Sequence, residues 1–164
     1  MNEALAFLSP DKAGHEAVWR SPLERALQHA PPEISDISLT GKLDVRGDVG
    51  SLKTRALEIF HLTPERCLVL CDFTKTAEVR TKLSERFYVV DLSGTLAGLQ
   101  VRGETLMRRL TDLDLDDLPA VGALAHVQAY VLRDDAETFR IFFPQEYGHY
   151  LAEVVVDAAE GVRE

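Results

Sequence analysis

The densest group of side chains that could do chemistry is Asp112, Asp114, Asp116 and Asp117. Hard oxygen donors of this kind suit calcium or magnesium. Their spacing lacks the glycine turn and closing glutamate of a calcium loop, so the residues favour a solvated acidic loop. Cys67 and Cys71 lie four apart in an apolar run that reads as a strand. They are then about 13 Å apart on one face, too far for a disulfide. Zinc would need two further ligands, and flanking leucine and valine do not activate a thiol; buried, reduced cysteines are expected. The histidines His15, His29, His61, His126 and His149 share no ligand spacing. His126 falls in a predicted strand and is read as a core residue. The stretch from Phe142 to Tyr150 holds Phe142, Phe143, Tyr147, His149 and Tyr150 around Glu146. It could line a pocket for a flat heterocycle, with Glu146 as the anchoring acceptor, although aromatic residues at a strand-to-helix junction more often belong to a core. There is no phosphate loop and no Gly-x-Ser-x-Gly elbow. The residues therefore offer no catalytic set and no metal site.

The elements that must position these groups follow from periodicity. Leu43-Asp44-Val45-Arg46-Gly47-Asp48 returns as Leu99-Gln100-Val101-Arg102-Gly103-Glu104. Each copy alternates as a half-buried strand and reaches a glycine and an acid suited to a helix start. Ser21-Pro22-Leu23-Glu24 carries the signature of a capping box and predicts a helix to His29 or Ala30, stopped by Pro31-Pro32. A strand with a bend at Thr40-Gly41 is expected over 34–46, with Ile37, Leu39, Leu43 and Val45 on one face. A helix over 50–61 and a central strand over 66–73 follow, then a helix over about 76–86. In the second half the pattern predicts two strands over 88–92 and 96–102, or one bent strand with its corner at Ser93-Gly94, and a helix over about 104–111. An acidic loop with inward leucines comes next, then strands over 124–133 and 138–143 around Asp134-Asp135, and a helix over 146–158. The domain reading is an N-terminal arm over 1–20 and one α+β domain over 21–164, with two pseudo-repeats at about 34–87 and 88–158.

Composition bounds the function. Acidic residues outnumber basic ones 27 to 18, for a net charge of −9, which argues against nucleic acid as a partner because phosphate binding needs clustered cations. No apolar run approaches the roughly 18 residues of a membrane span. The first residues lack the basic start of a secretory signal, so a cytoplasmic location is the default expectation.

Several motifs resemble a known family. Val90-Asp91-Leu92-Ser93, then Leu99-x-Val-Arg-Gly103-Glu104, Leu110-Thr111-x-Leu-Asp114 and Leu118-Pro119-x-x-Gly122 resemble the folate-binding domain of the glycine-cleavage T-protein superfamily. Arg20-Ser21-Pro22-Leu23, followed by Gly41-Lys42-Leu43-Asp44-Val45-Arg46-Gly47-Asp48, is similar to the gamma-subunit family of heterotetrameric sarcosine oxidases. The resemblance covers about residues 20–157. It implies an α+β fold of duplicated ferredoxin-like halves and a place in one-carbon metabolism. It further implies an accessory subunit that binds no flavin and packs against larger flavin-containing subunits; a stand-alone homo-oligomer with no folate role is a separate possibility. Tetrahydrofolate is the cofactor the resemblance allows, with Arg102, Glu146 and Tyr147 as candidate contacts. The catalytic T-proteins carry a Gly-Gly…Asp-Asp hairpin bearing an essential aspartate; this sequence has no counterpart to it before Asp134, and Asp134-Asp135 does not inherit that role. Catalysis by the chain alone is therefore not expected. The alternative is a stand-alone tetrahydrofolate-dependent aminomethyl- or methyl-transfer enzyme.

Overall fold

The protein is described here by a computed structural model covering residues 20–53 and 57–163. The N-terminal arm expected over 1–20 lies outside the described residues apart from Arg20. The described residues form nine strands and three α-helices: β1 (Ile34–Asp36), β2 (Thr40–Arg46), β3 (Glu58–Thr63), β4 (Arg66–Asp72), α1 (Thr76–Ser84), β5 (Tyr88–Asp91), β6 (Leu96–Arg102), α2 (Glu104–Leu110), β7 (Ala120–Leu124), β8 (Val127–Arg133), β9 (Thr138–Pro144) and α3 (Gly148–Arg163). They build two antiparallel sheets, in the orders β3-β4-β2-β5 and β1-β6-β9-β8-β7. This is the α+β architecture expected.

Strand alternation sorts the core into layers. On one face of the four-stranded sheet, Leu43, Val45, Cys67 and Val69 pack with Leu83 of α1. On the outer face of the other sheet, Leu99, Val101, Phe139, Ile141 and Phe143 pack under Leu106, Met107 and Leu110 of α2 and Leu151, Ala152, Val155 and Ala159 of α3. The two inner faces meet through Leu68, Leu70, Leu96, Leu132 and Phe142. The order of layers is helix, sheet, sheet, helices. Each such leucine or phenylalanine contributes about 1.5–3 kcal/mol on burial.

The two halves exchange their leading strands. β1 precedes β2 in sequence yet pairs with β6, with Ile34 opposite Val101. β5 precedes β6 yet pairs with β2, with Val89 opposite Val45. The crossings are built alike. Asp36 Oδ1 accepts from Ser38 N at 2.8 Å, and Asp91 Oδ1 accepts from Ser93 N at 2.9 Å. Thr40 and Thr95 each donate from Oγ1 to a carbonyl three residues back, those of Ile37 and Leu92. Side-chain turns of this kind end a strand and re-aim the chain. The strand expected over 34–46 is therefore two strands in different sheets, and Leu39, expected on its buried face, is 53% exposed.

Three other expectations are corrected. Residues 22–29 form turns rather than a regular helix, although Ser21 Oγ does accept from Leu23 N at 3.0 Å as a cap would. Leu23 packs against α3, and that tertiary contact replaces regular helix. The predicted helix over 50–61 is a 3-10 turn at Val49–Ser51 and, later, strand β3. There Ile59 faces the α1 layer while Phe60 and Leu62 face the other sheet, a period of two that pairing with β4 enforces. The strand expected over 124–133 is a hairpin, β7–β8, turning at Ala125 and His126 with φ of 46° and 67°. Such hairpins favour glycine or asparagine at these positions, so the sequence carries no turn signal. Here Ala125 N donates to Leu110 O at 2.7 Å and Tyr150 Oη to Ala125 O at 3.1 Å.

Candidate functional site

The repeated Leu-x-Val-Arg-Gly-acid stretch forms the end of β2 and of β6. Gly47 and Gly103 have φ of 128° and 118°, a backbone that side chains rarely adopt. Each donates its N–H to the carbonyl of a hairpin glutamate, Glu65 and Glu137, at 3.0 and 2.8 Å. After Gly103 the chain enters α2; after Gly47 the described residues form a 3-10 turn at Val49–Ser51. The motif is a joint, and its equivalent residues extend back to the Asp-x-Ser-x-Thr crossings.

The unusual chemistry lies between the sheets, on the faces of β2 and β6 turned toward each other. Lys42 N donates to Ser93 Oγ at 2.9 Å, and Gly98 N to Ser38 Oγ at 3.1 Å, which makes Lys42 and Gly98 equivalent points of the two halves. Lys42 is fully buried. Its Nζ donates to Ser38 O at 2.7 Å and Thr40 O at 2.8 Å and lies 5.5 Å from the centre of the Phe142 ring. Burial lowers its pKa to about 8, against the opposing pull of Asp91 and Asp36. Opposite, a Cβ on Gly98 would lie 2.8 Å from the same ring.

Two residues along β2, Asp44 is 2% exposed. Its carboxylate accepts from Arg66 Nε at 2.7 Å and Arg46 Nη2 at 2.8 Å. Arg66 Nη2 donates to Tyr130 Oη at 2.7 Å, which ties β4 to β8 of the other sheet. The hydrogen bond that Arg66 donates to Asp44 raises the Arg66 pKa, and burial raises that of Tyr130. Nearby, Arg140 bridges Glu58 of β3 and Asp134, each at 2.6 Å. Every buried side-chain nitrogen and oxygen among the described residues has a partner. The seam is thus a satisfied polar core that locks the sheets, and its lysine is closed to a substrate.

The three expected contact residues do not converge. Arg102 is exposed at the end of β6, beside the start of β9, and borders a hollow of about 190 Å³ with Glu33 and Val162. Glu146 and Tyr147 are exposed in a 3-10 turn just past the other end of β9. About 20 Å of strand separates the two places. Phe142 and Phe143 point into different cores, one between the sheets and one under the helices, so the aromatic stretch forms no single pocket. Arg102 therefore borders a different hollow from the turn that holds Glu146 and Tyr147.

The other candidates are also placed. Asp114 caps the N–H of Asp116 at 3.0 Å, and Arg133 pairs with Asp116 at 2.9 Å, holding the acidic loop around buried Leu115. His126 is exposed on its turn rather than in a core, and His149 pairs with Glu153 at 3.2 Å. Cys67 is buried and Cys71 half-buried, both free. Burial pushes the Cys67 thiol up to about 11. Among the described residues no group of three His, Cys, Asp or Glu side chains converges as a metal site, and no helix is long and apolar enough to cross a membrane. A hollow of about 370 Å³ lies along α1, lined by Leu57, Val79 and Leu83 among others.

Lys42 and Asp44 were legible only in part from sequence. With Arg46 they occupy alternate positions of β2, a spacing that reads as a solvent face until a second sheet covers it.

The fold has solved relatives. A chain of the heterotetrameric sarcosine oxidase from Corynebacterium sp. U-96, in complex with pyrrole 2-carboxylate, superposes with a TM-score of 0.67 at 17% identity, covering 88% of this chain and 96% of that one. The glycine cleavage system aminomethyltransferase T from Bartonella henselae gives 0.53 at 16% identity, covering 87% of this chain and 52% of that one. The chain therefore spans about half the length of the aminomethyltransferase. No protein-family model matches the sequence, and no curated protein matches it.

Proposed function

We propose that this chain is a gamma-type subunit of a sarcosine-oxidase-like flavoenzyme, an accessory protein of one-carbon metabolism. The observation that carries this reading is coverage: nearly the whole of one sarcosine oxidase chain is matched, against half of the aminomethyltransferase. The front motif, Gly41 to Asp48, supports it from the sequence side. On this reading the chain contributes a rigid body that docks on larger flavin-containing subunits. No tetrahydrofolate step is assigned to its own residues, because Arg102 stands apart from Glu146 and Tyr147.

Affinity purification of the tagged chain from its native source tests this reading. Larger subunits with flavin absorbance are expected to co-elute in fixed stoichiometry. Elution alone, or only as a homo-oligomer, overturns it. Calorimetric titration of the isolated chain with tetrahydrofolate separates the alternative, a stand-alone transfer enzyme, which requires saturable binding without a partner.

A further inference from the structure

We draw no further inference here: the strongest candidate, the hollow of about 350 Å³ where the chain crosses from β1 to β2, lined by Ser21, Asp36, Ile37, Leu39 and Thr40, is an open surface around one exposed leucine, and nothing in the structure shows what covers it.

Discussion

At equivalent points of their central strands, one half carries Lys42 and the other Gly98. Both backbones make the same bonds: an N–H to a crossing serine, and a carbonyl accepting from Leu92 or Ile37 at 2.8 and 2.9 Å. The side chains differ because the space is shared. Phe142 lies against Gly98, and the Lys42 ammonium lies over that ring. A seam between two like halves has room for one large residue at its middle, so the halves had to diverge there. Outside the sheets the halves differ as well: after Gly103 the chain enters α2, whereas after Gly47 the described residues form a 3-10 turn at Val49–Ser51. Similar architecture holds the chain together, and the differences between the halves mark where to look for function.

The comparison can be broken most strongly at Asp44, which has no charged counterpart at Gln100. Asp44→Ala removes a buried carboxylate from two arginines that remain partly solvated; a loss of about 3 kcal/mol is expected in urea unfolding. Next comes Lys42. Below pH 8 both folded and unfolded chains hold its proton; between about 8 and 10.5 the unfolded chain holds the proton that the folded one has released. Stability from this group therefore rises with pH across that window, by about 3 kcal/mol. Cys67 pulls the other way from about 9 to 11, because its folded thiol keeps a proton that the unfolded one loses. The lysine effect is thus read as the difference between wild type and Lys42→Met. That variant is expected to be the more stable at pH 7, with its advantage shrinking as pH rises; an advantage constant with pH would refute the assignment.

Gly98→Ala tests the other side of the same space. A methyl 2.8 Å from Phe142 forces the ring to shift, at a cost of about 2 kcal/mol in thermal or urea unfolding. The smallest effects belong to the crossings. Asp36→Ala and Asp91→Ala each remove one side-chain turn bond, and each is expected to cost about 1 kcal/mol. Equal losses would sharpen the equivalence of the two crossings, and clearly unequal ones would break it.

Much of the scaffold was legible in the residues themselves. Cys67–Leu70, Leu96–Val101, Thr76–Ser84 and the helical face through Leu151 and Val155 all form the kinds of element their periodicity implies. What the sequence hid was long-range. Asp36-Ile37-Ser38-Leu39-Thr40 and Asp91-Leu92-Ser93-Gly94-Thr95 repeat the crossing turn, but a one-residue shift in spacing separates them from the Leu-x-Val-Arg-Gly repeats. A search at one fixed offset finds only the joint. Residues Glu58–Thr63 alternate only because β4 offers them an edge, and the Ala125-His126 turn relies on α2 and α3 to hold it. Lys42 and Asp44 look solvated because no local pattern announces the sheet that covers them.

The exchanged leading strands also dictate an order of events. A chain made from its N-terminus exposes β1 early, yet the edge that β1 must join is Leu96–Val101, which emerges much later. The four-stranded sheet likewise waits for Tyr88–Asp91, which belongs to the segment leading into the other half. Pairings between such distant segments form slowly, since a long loop must close before they yield any stabilisation. Vectorial synthesis therefore gives this chain no safe halfway house. Its first half is born with an open flank, and the two halves are expected to melt as one cooperative unit.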